Sequence, residues 1–338
     1  MPSSFYKHFF LATALFAAVS SAARAGTFNA IYVFGDSLSD AGNAFIASSG
    51  ALPAAPYSGG RFSNGPVWVQ DLAAGLGLPA VTPSAAGPIG TDFAFGGAES
   101  GNANPGDLTS QLTAFKTVNP VANPNGLYTI WIGSNDLNAI LASSPTPTGA
   151  AAAAAGVAGN IDAAINTLAG DGAKDFLIVT VPDLGKTPAA IATGAAGVAA
   201  ASSLSAFFDN TLVNGLSSAG IPSLSGIGAA DGININVLDA YSLLDETVAD
   251  PALFGLTNVT QPCLTGEVDY AGGTPCSNPN SYLFWDQLHP TAAGQEIVAE
   301  AAAAAIPEPT TAFTMMLGFG AVAALFAARK RSAENVIS

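Results

Sequence analysis

Two short segments, far apart in this chain, carry residue types that could catalyse a reaction. Ser37 follows the apolar segment NAIYVF within Gly-Asp-Ser-Leu, and Asp286 precedes His289 by three positions near the end. A serine hydroxyl is a poor nucleophile at neutral pH and needs an adjacent base, for which histidine is the usual residue. The base needs an acceptor to fix its tautomer, and Asp286 can supply it. Because His289 is the only histidine between residues 26 and 306, these three residues predict nucleophilic catalysis by a serine.

Two further segments could donate hydrogen bonds to a negatively charged oxygen. Gly96 and Gly97 offer backbone N–H groups that a substrate can approach closely, because glycine has no Cβ. Asn135 lies in Gly-Ser-Asn-Asp, directly after the segment LYTIWI, and could direct its side-chain amide into the same crevice. Acyl transfer needs such donors around the developing oxyanion. Each segment alone is typical of a turn, so this hypothesis depends on the ordered set; we assign Gly96 and Asn135, with Gly97 as the alternative to Gly96.

The segments that must position these residues alternate between two kinds. Short runs rich in β-branched or aromatic residues predict strands, and segments with helical spacing of apolar residues lie between them. Largely apolar strands separated by helices indicate a parallel sheet covered on both faces, with reactive groups at the carboxyl ends of the strands. We therefore expect one doubly wound α/β domain over residues 26–306. The predicted strands are 29–34, 127–132, 176–181 and 233–238; the predicted helices are 67–76, 108–115, 160–168, 202–216 and 291–305, and the alanine run 150–155 fits either a helix start or a linker.

The composition excludes some classes of function. Hydrophobic residues make up 49% and charged residues 10% of the 338 residues, which favours a globular chain with a buried core over a disordered one. The net charge is −15, with only nine lysines and arginines. Such a surface repels phosphate backbones, so we expect no nucleic-acid partner.

Both ends of the chain carry signatures of export. Residues 1–25 contain a short basic region, an apolar run and Ala-Arg-Ala, which predict a signal peptide removed after Ala25. Residues 307–331 contain Pro-Glu-Pro, an apolar stretch over 312–328 that predicts a transmembrane helix, and an arginine and lysine cluster. This order resembles the PEP-CTERM sorting signal of Gram-negative bacteria. The resemblance implies processing by an exosortase and a secreted or cell-surface protein; the alternative is an inner-membrane anchor facing the periplasm, with 332–338 as a short cytoplasmic tail.

Export bears on the two cysteines, Cys263 and Cys276. In an oxidising compartment they could form a disulfide that closes a short loop. Two unpaired thiols are the alternative. Their spacing does not match a zinc site.

The four polar segments, in their order, resemble those of the GDSL, or SGNH, hydrolase family. The family's Ser, Gly, Asn and His match Ser37, Gly96, Asn135 and His289, and the similarity extends over residues 31–304. The longer segments FGDSLSDAGN, RFSNGPVWVQDLA and FWDQLHPTAAGQ resemble its larger lipase and esterase branch. The resemblance implies a flavodoxin-like α/β/α fold, the SGNH hydrolase fold, and ester hydrolysis without a metal or an organic cofactor. The second glycine of the Ser-x-Gly elbow is absent after Ser37, which argues against the common lipase fold.

The hypothesis that follows is hydrolysis of lipid or short-chain acyl esters. Ser37 attacks the carbonyl carbon, His289 takes its proton, Asp286 holds the imidazole, and Gly96 and Asn135 stabilise the oxyanion. The alternatives are an esterase that removes O-acetyl groups from polysaccharide, and a non-catalytic binding protein of the cell surface or extracellular matrix. Candidates for an apolar acyl wall are Phe45, Tyr57, Phe62, Phe254 and Tyr282, although core or loop packing is the more common role for any one such residue.

Overall fold

A parallel sheet of four strands lies at the centre of the domain. The strands β1 (Ala30–Gly35), β2 (Gly126–Trp131), β3 (Asp175–Val179) and β4 (Asn234–Leu238) pair in their order along the chain. On the free edge of β1, Val33 forms one further parallel bridge with Asp92. All four predicted strands are confirmed, with ends shifted by one or two residues.

The computed structural model describes residues 28–101, 104–143, 145–218 and 232–306. Within these, Ala30–Ile306 form one compact unit. The predicted signal peptide (1–25), the sorting signal (307–331) with its apolar stretch 312–328, and the tail 332–338 lie outside the described residues. In the part of the chain that the structure describes, no helix is both long and apolar enough to cross a membrane.

Helices cover both faces of the sheet, as the doubly wound prediction requires. On one face, Tyr128 and Ile130 of β2 belong to an apolar core shared with α3, α5 and α7. On the other face, Trp131 makes an edge contact with Trp68 of α2, which packs against α9. The helices are α1 (Asn43–Ala47), α2 (Trp68–Gly75), α3 (Leu108–Val118), α4 (Ser134–Ala142), α5 (Pro147–Gly170), α6 (Pro188–Ala192), α7 (Ala195–Ser218), α8 (Ala240–Ala249) and α9 (Ala292–Ala305).

Six of these helices differ from the sequence-based expectation: α1, α4, α6 and α8 were not predicted, and α5 and α7 begin before the predicted residues 160 and 202. Helix α5 includes the alanine run 150–155, because Thr146 caps its first turn by accepting from the Gly149 N–H and alanine strongly favours helix. Helix α4 begins within Gly-Ser-Asn-Asp, which alone is typical of a turn. Gly133 has φ +121°, and this backbone conformation lets the chain pass from β2 into α4 within a few residues.

The last part of the domain is a loop region fixed by a disulfide. Cys263 and Cys276 are bonded, so of the two alternatives the disulfide is the one present. They flank the short antiparallel pair β6 (Leu264–Thr265) and β7 (Thr274–Pro275). Outside them, β5 (Asn258–Pro262) pairs with β8 (Tyr282–Phe284), which leads directly to Asp286.

Candidate active site

Ser37, His289 and Asp286 form one continuous hydrogen-bonded chain. The Ser37 Oγ lies 2.8 Å from His289 Nε2, and His289 Nδ1 lies 2.7 Å from Asp286 Oδ2. The three residues are 7%, 4% and 2% exposed. Ser37 follows β1, whereas Asp286 and His289 lie between β8 and α9. The arrangement allows the serine hydroxyl to pass its proton to the imidazole, and the carboxylate to stabilise the resulting imidazolium.

The turn that presents Ser37 is fixed on both sides. At Gly35 a Cβ atom would lie 2.4 Å from the Trp131 carbonyl oxygen, so only glycine fits between β1 and β2. The side-chain amide of Gln111 accepts from the Gly35 N–H and donates to the Gly35 carbonyl. On the other side, the Asp36 carboxylate accepts from the Leu38 N–H. These contacts replace the strand pairing that β1 loses as it ends.

Both oxygens of Asp286 are fully used. Oδ1 accepts from the backbone N–H groups of Leu288 and His289, and Oδ2 accepts from the hydroxyl of Tyr57 besides contacting the His289 ring. Burial disfavours the carboxylate, but the charge of His289 and the hydrogen bonds outweigh it and lower the pKa of Asp286. Asp286 is therefore suited to remain ionised while His289 gains and loses a proton.

The predicted oxyanion donors line one cavity together with Ser37 and His289. The Asn135 amide donates one hydrogen to the Ala98 carbonyl at 2.9 Å, which orients the amide and leaves its second hydrogen for a ligand. The Gly96 N–H, however, donates to Asp40 Oδ2 at 2.8 Å. Gly97, with φ +80°, lines the same cavity as Ser37 and Asn135, and its N–H has no acceptor among the described residues. The geometry thus favours Gly97 over Gly96 as a donor.

This geometry agrees with the sequence family of the chain. Residues 31–302 match the family of GDSL-like lipases and acylhydrolases. The chain belongs to the GDSL family. Residues 305–331 match the PEP-CTERM protein-sorting motif, which confirms the second resemblance and implies extracellular sorting of the GDSL domain.

Several curated proteins and solved structures are similar to this GDSL chain. A phosphatidylcholine-sterol acyltransferase of Aeromonas hydrophila is 29% identical, over 82% of this chain and 78% of the relative. A thermolabile hemolysin of Vibrio parahaemolyticus is also 29% identical, over 80% of this chain but only 62% of the hemolysin. GDSL esterase/lipase 5 of Arabidopsis thaliana is 28% identical, over 86% of this chain and 87% of the relative. The crystal structure of an extracellular lipase from Streptomyces rimosus matches with a TM-score of 0.41 and 18% identity, over 82% of this chain and all of that one.

Two aromatic side chains contact the ring of His289. The ring of Phe62 lies 5.2 Å from that of His289, and Tyr270 makes an edge contact at 5.5 Å. Of the aromatic residues considered for an acyl wall, only Phe62 lines a cavity that reaches Ser37. Tyr57 instead binds Asp286, a role that sequence reasoning missed because no local spacing connects two residues 229 positions apart.

Buried carboxylates hold the GDSL loops in place. Asp40 accepts from the backbone N–H groups of Gly42, Asn43, Ala44 and Gly96, and so joins the segment after Ser37 to the glycine pair. Burial raises the pKa of Asp40 despite these hydrogen bonds. Among the described residues, no group of three or more histidine, cysteine, aspartate or glutamate side chains is arranged to hold a metal ion.

Two cavities meet at Ser37. A narrow one of about 80 Å³ lies between α4, α8 and α9, and a wide one of about 390 Å³ lies beside α1 and the glycine pair. Both are lined by Ser37, Asn135, Leu288 and His289. A substrate bound at the GDSL serine can therefore extend in two directions.

Proposed function

We propose that this protein is an exported serine hydrolase that cleaves carboxylic esters through an acyl-enzyme on Ser37. The contact of 2.8 Å between Ser37 Oγ and His289 Nε2, continued to Asp286, is the observation that carries the proposal. Membership in a family of lipases and acylhydrolases supports ester chemistry. The donors around Ser37 support stabilisation of a tetrahedral oxyanion.

In the proposed mechanism His289 transfers one proton in each half-reaction. Ser37 Oγ attacks the ester carbonyl carbon as His289 Nε2 takes the hydroxyl proton. The oxyanion accepts hydrogen bonds from the Asn135 amide and from the N–H groups of Gly97 and Ser37. Collapse of the intermediate breaks the bond to the alcohol oxygen, which receives the proton from His289. Water, deprotonated by His289, then attacks the acyl carbon. Collapse of the second intermediate breaks the bond to Ser37 Oγ, which takes the proton back from His289, and releases the carboxylic acid.

The acceptor of the acyl group decides between two related activities. The Aeromonas hydrophila relative is named an acyltransferase, in which an alcohol would take the place of water. For this chain we propose water as the acceptor, with lipid or short-chain acyl esters as substrates. An O-acetylated polysaccharide is the alternative substrate, and sugar or matrix binding without catalysis is the alternative function.

The proposal includes the route to the outside of the cell. Residues 1–25 are removed as a signal peptide, and the PEP-CTERM motif is processed by an exosortase, which releases the domain to the surface or the medium. Retention in the inner membrane, facing the periplasm, is the alternative outcome. Expression in a Gram-negative host that has an exosortase, followed by mass spectrometry of the protein from the medium and from the membrane fraction, distinguishes release from retention.

Hydrolysis of p-nitrophenyl acetate, butyrate, octanoate and palmitate by the purified protein tests the chemistry. We expect Ser37→Ala and His289→Ala to lower kcat by about 10³-fold or more while the melting temperature stays within a few degrees. A fluorophosphonate should label the wild type on Ser37, as located by mass spectrometry. Full activity of Ser37→Ala would exclude the acyl-enzyme. A folded wild type that cleaves none of these esters would favour the polysaccharide substrate or the binding role.

A further inference from the structure

The two cavities at Ser37 differ in their walls. No described residue that lines the narrow cavity is exposed, and much of its wall is aliphatic, formed by Leu184, Leu243, Leu244, Leu283, Ile297 and Val298. The wide cavity has an open rim, because Ala47, Leu52, Gly97 and Tyr270 are exposed. One direction from Ser37 therefore passes between buried and half-buried side chains, and the other passes exposed ones.

Most polar side chains of the narrow cavity belong to the catalytic residues or to the first turns of α4, which carry Ser134, Asn135 and Asn138. Thr187 and Thr247 also line it, but their hydroxyls donate to the carbonyls of Leu184 and Leu243 and have no proton left for a ligand. The Ser134 hydroxyl has no partner among the described residues, and Ser134 directly precedes Asn135. Beyond these groups the cavity favours an unbranched apolar group, since each buried methylene is removed from water without loss of a hydrogen bond.

We propose, on the basis of the ester hydrolysis proposed above, that the acyl chain enters the narrow cavity and the alcohol occupies the wide one. The order of the reaction supports this assignment. The alcohol leaves first and water must then reach the acyl-enzyme, so the acyl group has to leave the open route free. An acyl chain in the wide cavity would block the path by which water enters.

The volume sets the length of the chain. A cavity needs on the order of 10–15 Å³ for each water-sized group, so about 80 Å³ accepts a chain of roughly five to eight carbons. The open rim of the wide cavity sets no comparable limit on the alcohol. The substrate class is therefore a short- to medium-chain acyl ester of an alcohol of variable size.

Substitutions at Leu244 test the assignment in both directions. With p-nitrophenyl esters from acetate to palmitate, Leu244→Phe should move the optimum of kcat/KM to shorter chains and Leu244→Ala to longer ones. We expect the ratio of kcat/KM for octanoate to that for butyrate to change by about tenfold in each direction. Ile297→Ala, on α9 instead of α8, should act like Leu244→Ala. The exposed Leu253 lines neither cavity, so Leu253→Ala is the matched control and should leave the profile unchanged.

A second series varies the alcohol and keeps the acyl group. With methyl, butyl and octyl butyrate, the Leu244 and Ile297 variants should retain the wild-type order of preference, whereas Leu52→Ala in the wide cavity should change it. Changes in the alcohol series but not the acyl series for Leu244 would reverse the assignment and overturn the proposal. An optimum for the wild type beyond ten carbons would also overturn it.

The outcomes separate this proposal from the one on which it depends. A wild type that cleaves no ester contradicts the proposed function. A wild type that cleaves esters, with a chain-length profile unaffected by folded variants of both Leu244 and Ile297, contradicts the cavity assignment alone. The melting temperature of each variant shows whether it is folded. Leu244 and Ile297 lie on different helices, so if one variant fails to fold, the other still tests the cavity assignment.

Discussion

The hydroxyl of Tyr57 donates a hydrogen bond of 2.8 Å to the same oxygen of Asp286 that contacts His289 Nδ1. Tyr57 is 5% exposed and its ring makes edge contacts with Trp285, Phe62 and Tyr270. Burial and the charge of Asp286 raise the pKa of Tyr57, so the hydroxyl stays protonated and acts as a donor. We infer that Tyr57 is a positioning residue that orients the carboxylate and disperses part of its charge.

Tyr57→Phe should therefore change the pH dependence as well as the rate. Without the donor, the negative charge of Asp286 acts more fully on the imidazole, and the Asp286–His289 pair takes up its proton more readily. The acidic limb of the kcat/KM profile should move to higher pH, and kcat should fall by about tenfold. Rates measured from pH 4.5 to 9 on one p-nitrophenyl ester give both values.

Tyr270→Phe is the matched control for Tyr57→Phe. Its ring also contacts His289, but its hydroxyl has no hydrogen-bond partner in the described part of the chain. We expect Tyr270→Phe to keep the wild-type pH profile. Equal displacement of the acidic limb in both variants would assign the effect to the loss of any hydroxyl near His289. An unchanged profile for Tyr57→Phe would contradict the proposed role of its hydrogen bond to Asp286.

Asn135→Ala should remove one oxyanion donor and leave the fold intact. Loss of one such donor costs about 10²–10³ in kcat with little change in KM, because the bond strengthens in the transition state. The melting temperature of Asn135→Ala shows whether the substitution has a general effect on α4. A loss confined to KM in Asn135→Ala would argue for ground-state binding instead.

The disulfide connects stability to the site. The bond from Cys263 to Cys276 closes the loop that carries Tyr270 against His289. Replacing both cysteines with serine should lower the free energy of unfolding by about 3 kcal/mol and also lower activity, because the loop gains conformational freedom. Denaturant titration and kcat/KM measure the two effects. Reductant should act on the wild type in the same way and leave the double variant unchanged; a fully active, equally stable double variant would contradict this link.

Asp36 should make the protein less stable as the pH rises. Burial raises the pKa of Asp36 to about 7 in the folded state, whereas an unfolded chain loses this proton near pH 3.9. Between these values the folded state binds more protons than the unfolded state, so the stabilising effect of the neutral form, present below about pH 4, is lost by about pH 7. Asp36→Asn keeps an acceptor for the Leu38 N–H and removes this loss.

The melting temperature of Asp36→Asn relative to wild type should therefore increase from pH 4 to pH 7 by several degrees and level off above. Asp40 and Asp92, whose pKa values burial also raises, are present in both proteins and cancel in the difference. A difference that is constant over this range would show that Asp36 titrates as an ordinary carboxylate.

Sequence reasoning succeeded where the signal is local. The strands β1 to β4 are short apolar runs bounded by glycine, proline or polar residues, and their order predicted the parallel sheet. Ser37, Asp286 and His289 converge because both segments lie at the carboxyl edge of that sheet, where chemistry was expected. Helix α5 was underestimated, since an alanine run carries helix propensity but no apolar periodicity.

Contacts between distant segments could not be predicted in this way. The choice between Gly96 and Gly97 depends on Asp40, whose carboxylate accepts from the Gly96 N–H. The two glycines are chemically identical in the sequence, and only the fold shows which N–H is engaged. The role of Tyr57 could not be predicted for the same reason. The sequence offered it as a candidate for the acyl wall, whereas in the fold its hydroxyl binds Asp286.

The 252 positions between Ser37 and His289 have a consequence for when the protein becomes active. A nascent or partly translocated chain that ends before residue 286 lacks the base and its acceptor, so it carries the nucleophile without the means to activate it. The family match ends at residue 302 and the sorting motif begins at residue 305. Asp286 and His289 are therefore synthesised shortly before the sorting motif. On the function proposed above, ester cleavage therefore requires the complete domain, because Ser37 and His289 come from its two ends.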